Sequence, residues 1–146
     1  DHLDLHSFPT RRSSDLDEEC REFAVPYLKR IFGAFHTRVR FFHNDAQGLV
    51  STPYLREIGV NLFNFSFEHS LEEIRELAGP SVTLLGNLPP CDVMAAGTPD
   101  EVLRETRKMV ASVADPTRIL WSVGGGMPPG VTSGHIRAFL EGLKPA

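Results

Sequence analysis

The residues best suited to chemistry stand where an apolar run ends in polar side chains. Phe41 and Phe42 are followed directly by His43, Asn44 and Asp45. In parallel α/β proteins the active site lies beyond the carboxyl ends of the strands, so polar residues at such an end are candidates for catalysis. If the strand continues, His43 and Asp45 share one face, where a carboxylate can orient an imidazole or share a metal ion with it. A hydrogen-bonded structural histidine is the alternative.

Three further predicted strands also end in unusual residues. In chain order these are Glu68-His69, Gly86-Asn87 and Gly124-Gly125-Gly126. An amide before a proline-fixed loop, as at Asn87, can hold a polar substrate group, and the glycine amides can cradle a carboxylate or phosphate. For Glu68 and His69 a solvated helix entry is the alternative, because a carboxylate there meets the positive end of the helix dipole.

The elements that position these residues alternate between strands and helices. Short β-branched and aromatic runs predict strands at 38–43, 60–67, 82–87 and 118–123. Helices are predicted at 17–36 and 49–58, after capping boxes at Ser70 and Thr98, and from Ser133. This alternation with short loops calls for parallel strands joined by crossover helices, in a (β/α) barrel or a doubly wound sheet. Since such barrels need about 250 residues, this chain would supply half of one.

Composition excludes several classes of function. The 146 residues carry a formal net charge of −4, which gives no sign of a nucleic-acid or anionic-membrane partner. No apolar run is long enough for a membrane span, and no signal peptide is present in the sequence. Cys20 and Cys91 are isolated, without paired metal spacing or a disulfide framework. We therefore expect a reduced, cytoplasmic protein.

The first 16 residues differ from the rest of the chain. They read DHLDLHSFPTRRSSDL, show no apolar period and resemble the translation of a sequencing adapter. We predict that residues 1–16 are a non-native, disordered tail and that residues 17–146 form a partial barrel domain. On this interpretation the chain is a fragment.

Several segments together resemble the uroporphyrinogen decarboxylase family of (β/α) barrels, which includes the haem-pathway decarboxylase and corrinoid-dependent methyltransferases. The most specific part is the Gly-Asn-x-x-Pro element that begins at Gly86, with its downstream Gly-Thr-Pro-x-Glu-Val. The segments that carry the resemblance are FAVPYLKRI (23–31), FFHND (41–45), LREIGVNLFN (55–64), LLGNLPPCDVMAAGTPDEV (84–102) and GGGMPPGVTSGHIRAFL (124–140). The resemblance spans residues 17–146 and implies the carboxyl-terminal half of a TIM-type (β/α)8 barrel, strands five to eight.

The resemblance also implies what the site could hold. In the family's zinc methyltransferases the motif that corresponds to residues 43–45 resembles His-x-Cys, and a further cysteine comes from the last strand. Here Asp45 stands where the cysteine of His-x-Cys would be, and residues 123–126 contain no thiol. A zinc site with two thiolates is therefore excluded, but a zinc-like divalent metal could bind nitrogen and oxygen ligands drawn from His43, Asp45, Glu68 and His69.

We predict that the parent enzyme is a methyltransferase-like member of the family that acts with a corrinoid methyl carrier. In this interpretation His43 and Asp45 are catalytic, whereas Asn87 and the segment Gly124-Gly125-Gly126 bind substrate. The alternative is decarboxylation of a porphyrinogen in haem biosynthesis. The last strand of those decarboxylases ends in a motif that resembles Gly-His-Gly, whereas this chain has only glycine there. The expected partner is a small molecule or a corrinoid protein. We expect the isolated fragment to be inactive, and its unpaired sheet edges to favour a homodimer. A self-contained α/β binding module is a further alternative.

Overall fold

The sheet contains four parallel strands in the order β1-β2-β3-β4. The structure is a computed structural model that describes residues 13–44 and 49–145. The strands are β1 (Phe41–Asn44), β2 (Leu62–Phe65), β3 (Thr83–Leu88) and β4 (Ile119–Val123). Each strand pairs with the next one in the chain, as in a barrel, whereas a doubly wound sheet reverses its order at a switch point. The predicted α/β fold with four parallel strands and crossover helices is confirmed.

Helices connect the strands and cover one face of the sheet. In chain order they are α1 (Ser13–Phe23), α2 (Val25–Gly33), α3 (Leu55–Ile58), α4 (Leu71–Ala78), α5 (Pro99–Ala111) and α6 (Ser133–Gly142). A 3-10 turn (Thr52–Tyr54) precedes α3, and a π-helix (Pro90–Ala95) follows β3. Helices begin at both predicted capping boxes, and the hydroxyls of Ser70 and Thr98 accept hydrogen bonds from backbone N–H groups. The reciprocal contact forms at Thr98, through Glu101, whereas the Glu73 side chain contacts His69 instead.

The amino-terminal region contains two helices. Helix α1 begins at Ser13, so residues 13–16 are helical rather than disordered, because extending an existing helix gains one hydrogen bond for each residue fixed. The origin of residues 1–16 in an adapter stays a prediction. Within the helical region predicted at 17–36, Pro26 lies in the first turn of α2, where a proline is expected to start a helix.

The apolar core lies between the sheet and its helices. Phe63 on β2 stacks on Phe42 of β1 with ring centroids 6.0 Å apart, and on Phe65 at 5.6 Å. Leu55 and Ile74 close this cluster from α3 and α4 and are fully buried. Burying each such side chain contributes about 1.5–3 kcal/mol, so this layer fixes β1 and β2 side by side. A second cluster, beneath α5 and α6, is built from Leu88, Met94, Val102 and Val123.

An apolar stripe remains exposed along α2. Tyr27, Ile31 and Phe35 follow one another at intervals of four residues, and each side chain is more than half exposed, at 58%, 54% and 63%. We call these three residues the α2 stripe. Tyr27 and Ile31 share one face of α2, beside the face whose Leu28 and Phe32 pack against the core, and Phe35 follows the end of the helix at Gly33. No helix in the described part of the chain is long and apolar enough to cross a membrane.

Candidate functional site

His43 lies at the carboxyl end of β1, next to a buried amide on β2. The strand register places His43 directly beside Asn64. Nδ1 of His43 lies 2.7 Å from Oδ1 of Asn64, which is a short, well-formed hydrogen bond. The ring of His43 is exposed, whereas Asn64 is only 3% exposed. The first candidate residue is therefore reachable from solvent and held from behind by a buried group.

Asn64 connects all four strands. Its Nδ2 donates to the backbone carbonyl of Leu85 on β3 at 2.5 Å and lies 3.4 Å from that of Val123 on β4. The backbone pairing of β2 with β3 reaches only as far as Asn64 and Leu85, so this side chain carries the connection onward. Asn64 is not among the candidate residues that the sequence analysis names. The signal that could have found it is a lone amide within a run of phenylalanines.

The predicted metal set is not assembled among the described residues. Asp45 lies outside them. Within residues 13–44 and 49–145, no three His, Cys, Asp or Glu side chains group so as to hold a metal ion. Cys20 packs against the core from α1 and Cys91 is exposed in the π-helix, so neither belongs to the strand end at His43. The metal site that includes Asp45 stays a prediction.

Glu68, His69 and Asn87 form a second neighbourhood. Asn87 Nδ2 donates to the backbone carbonyl of His69 at 2.6 Å, while His69 Nδ1 lies 3.3 Å from Oε2 of Glu73. Two predicted site residues are therefore brought together through the backbone. The Gly86-Asn87 peptide bond that leads into this contact is cis.

A cleft of about 430 Å³ opens beside these residues, and all three line it. Its far wall belongs to α5, where Lys108 donates to Glu105 at 2.9 Å. This contact with Lys108, followed by that with Arg104, lowers the pKa of Glu105, so the wall carries paired charges of both signs. Apolar side chains such as Phe67, Leu88 and Met109 also line the cleft, so it suits a ligand with both polar and apolar parts.

The glycine segment divides into a structural and an exposed part. The N–H of Gly124 donates to the carbonyl of Leu88 at 2.9 Å and so continues the sheet. A Cβ at this position would lie 3.0 Å from both Cβ and the backbone N of Phe67, so the close approach requires glycine. Gly125 adopts a φ of +131°, and Gly126 has open space around it. The predicted anion cradle would therefore rely on Gly125 and Gly126.

His135 is a buried histidine at the start of α6. It is 9% exposed, and its Nδ1 accepts a hydrogen bond from the N–H of Thr132 at 3.2 Å. The ring closes a capping box at the start of α6, where an acceptor must satisfy an N–H that the helix leaves unpaired. His36, between α2 and β1, is exposed by contrast.

The four parallel strands in sequential order, with polar residues after their carboxyl ends, are typical of a (β/α) barrel-type fold. A sequence profile described as uroporphyrinogen decarboxylase (URO-D) matches residues 17–145. The chain therefore belongs to the uroporphyrinogen decarboxylase family.

Relatives of two activities match this chain. Uroporphyrinogen decarboxylase from Dichelobacter nodosus is 26% identical over 122 residues, covering 84% of this chain and 35% of the relative. Methylated-thiol--coenzyme M methyltransferase from Methanosarcina mazei is 26% identical over 142 residues, covering 96% of this chain and 38% of the relative. A solved structure of a methyltransferase from Methanosarcina mazei superimposes with a TM-score of 0.73 at 16% identity, covering 86% of this chain and 36% of that one. The chain thus spans little more than a third of these proteins.

Proposed function

We propose that the protein acts as a methyltransferase-like member of its family, which transfers a methyl group to or from a corrinoid carrier. The observation that supports the proposal is the position of His43, which is exposed at a strand end and hydrogen-bonded to buried Asn64. Asp45 follows it, at the place of the cysteine in the His-x-Cys motif that the family's methyltransferases resemble. The last strand ends in Gly124 to Gly126, without the histidine of the decarboxylase pattern. The methyltransferase relative from Methanosarcina mazei supports the same choice.

Each candidate residue has a role in this proposal. His43 and Asp45 orient the methyl acceptor. Where the acceptor is a thiol, it loses its proton as it gains the methyl group, and His43 takes up that proton. Asn87 fixes a polar group of the substrate through its side-chain oxygen, since its nitrogen donates to His69. The amides of Gly125 and Gly126 receive an anionic group.

A divalent metal is an alternative role for this strand end within the proposal. In that case Nε2 of His43 would be the ligand, since Nδ1 is directed at Asn64, and the ring would not also take up a proton. Asp45, with Glu68 or His69, would supply the further ligands, although the described residues do not bring three such side chains together. A bound ion of this kind would supply Lewis-acid activation of the acceptor. Since no thiols lie at this strand end among the described residues, the set favours a metal that accepts nitrogen and oxygen ligands.

Metal analysis and methyl-transfer assays on the full-length parent test the proposal. We expect about one equivalent of divalent metal and a loss of at least about 100-fold in transfer on His43→Ala, as is usual when a general base or ligand is removed. His36→Ala, at an exposed histidine outside the strand ends, is the matched control and should leave both unchanged. A parent without metal whose turnover survives His43→Ala would contradict the proposal.

Decarboxylation of a porphyrinogen is the second candidate function. Decarboxylases are the commoner name among the matched relatives, as in Dichelobacter nodosus and Xylella fastidiosa. Product analysis with uroporphyrinogen separates the two, because decarboxylation releases carbon dioxide and needs no methyl acceptor. Release of carbon dioxide by the parent would replace methyl transfer as its function.

The proposed partner is a small molecule or a corrinoid protein, in a cytoplasmic setting. For the 146-residue chain itself we expect no turnover, because His43 lies on a sheet whose described edges, β1 and β4, are unpaired. Such edges favour a homodimer. Light scattering at several concentrations measures this assembly, and a monomer at all of them would contradict it.

A further inference from the structure

The orientation of the Asn64 amide follows from its neighbours. Nδ2 faces two backbone carbonyl oxygens, that of Leu85 at 2.5 Å and that of Val123 at 3.4 Å. A carbonyl oxygen only accepts hydrogen bonds, so the group that faces it must donate. The flipped amide would bring three acceptors together at a residue that is 3% exposed, where water cannot compensate them. Oδ1 of Asn64 must therefore face His43.

The fixed amide determines where the proton of His43 resides. An amide oxygen only accepts, so Nδ1 of His43 must donate across the 2.7 Å contact. A neutral imidazole carries one proton on its two nitrogens, and the lone pair is then on Nε2. The other neutral tautomer would set two lone pairs against each other at this distance. The doubly protonated ring also satisfies the contact, so Nδ1 keeps its proton in either charge state.

We propose that Asn64 is a positioning residue that selects the Nδ1–H tautomer of His43 and so presents the lone pair at Nε2. The catalytic use of this lone pair rests on the proposed function, in which His43 takes up a proton or binds a metal. The tautomer itself does not depend on that function. Asn64 acts through His43 and is held by backbone carbonyls of β3 and β4. These two strands therefore help to determine which nitrogen of His43 carries the lone pair, although His43 itself lies on β1.

The tautomer can be measured directly by long-range ¹H–¹⁵N correlation NMR on the 146-residue chain labelled with ¹⁵N-histidine, at alkaline pH. We expect a protonated-type signal for Nδ1 of His43 and an unprotonated-type signal for Nε2. In Asn64→Leu we expect His43 to lose this pattern and to approach that of exposed His36. Asn64→Asp keeps an acceptor oxygen toward His43 but loses the donor to Leu85 and Val123. We expect this less stable variant to retain the Nδ1–H pattern, which would show that the acceptor, and not the connection between strands, selects the tautomer.

Asn61→Leu is the matched control. The Asn61 side chain also spans β2 and the approach to β1, accepting from the N–H of Arg40 at 2.8 Å and donating to the carbonyl of Arg38 at 2.9 Å, but it does not contact His43. This variant should keep the His43 pattern of the unsubstituted 146-residue chain. An Nε2–H tautomer in the unsubstituted chain, or an unchanged pattern in Asn64→Leu, would overturn the inference. The spectrum of the unsubstituted chain decides even if a variant fails to fold. A confirmed tautomer without methyl transfer would instead remove only the proposed function.

Discussion

Two histidines at neighbouring strand ends are held in contrasting ways. His43 contacts Asn64, a buried amide that is itself bonded to two other strands. His69 contacts Glu73, whose side chain is 49% exposed on the first turn of α4. A polar contact is worth more where water cannot replace it, so the same kind of side chain is fixed firmly in one place and loosely in the other. Burial of the partner decides how firmly each histidine is held.

The strongest way to break this contrast is to remove the buried amide. Asn64→Leu leaves the carbonyls of Leu85 and Val123 without the side-chain donor in a buried setting. We expect the free energy of unfolding to fall by about 2–3 kcal/mol, because an unsatisfied buried acceptor costs its full desolvation. Urea denaturation followed by circular dichroism measures the change. A loss no larger than that of an exposed substitution would show that Asn64 is not an anchor.

A smaller effect is expected at Gly124, which follows β4 and packs against Phe67 in the loop after β2. Gly124→Ala places a methyl group 3.0 Å from Cβ and the backbone N of Phe67, and backbone cannot move aside as a flexible side chain would. We expect a loss of about 1–2 kcal/mol from overpacking. Gly126→Ala is the matched control, since nothing lies within 4 Å of its Cβ position. Equal effects at both glycines in thermal unfolding would argue against the close contact.

The exposed contact should matter less. Glu73→Gln removes the charge opposite His69 but keeps the backbone N–H of residue 73, which donates to the Ser70 hydroxyl. We expect about 0.5 kcal/mol or less, because exposed ion pairs are screened by water and salt. Denaturation at low and at high salt measures it. A loss comparable to that of Asn64→Leu would remove the contrast between the two histidines.

The smallest effect is expected at an exposed carboxylate on α5. Glu101 accepts from the backbone N–H of Thr98 and then from its hydroxyl, and these contacts lower the pKa of Glu101. A carboxylate whose pKa is lower in the folded state stabilises the fold above its ordinary pKa, and this contribution is lost as the pH falls through the lowered value. Glu101→Gln should therefore weaken the acid dependence of stability slightly between about pH 5 and pH 2. A steeper acid transition in the variant would contradict this.

The fold could be predicted because its signals are local. Strand β2 is indicated by phenylalanines at every second residue, and helices α4 and α5 by the residues at Ser70 and Thr98 that cap them. Each of these signals depends only on residues close in sequence, and the structure confirms the elements that they predict. The site could be predicted only in part. Asn64 reaches His43 and Leu85, each 21 residues away, through a strand register that sequence spacing does not reveal.

The partial failures have the same cause. His135 looks like a surface histidine until the turn before α6 places the N–H of Thr132 beside it. Gly124 looks like its two neighbours in sequence until the end of β2 packs against it. In both cases a distant or folded segment, absent from the local pattern, decides what the residue does.

The α2 stripe determines how this chain behaves as a laboratory sample. More than half of each apolar side chain in the stripe is exposed to water. Surfaces of this kind adsorb to hydrophobic resins and bind environment-sensitive dyes such as ANS. Handling of the purified chain should therefore depend on mild detergent and low ionic strength, because salts that are excluded from protein surfaces strengthen apolar association.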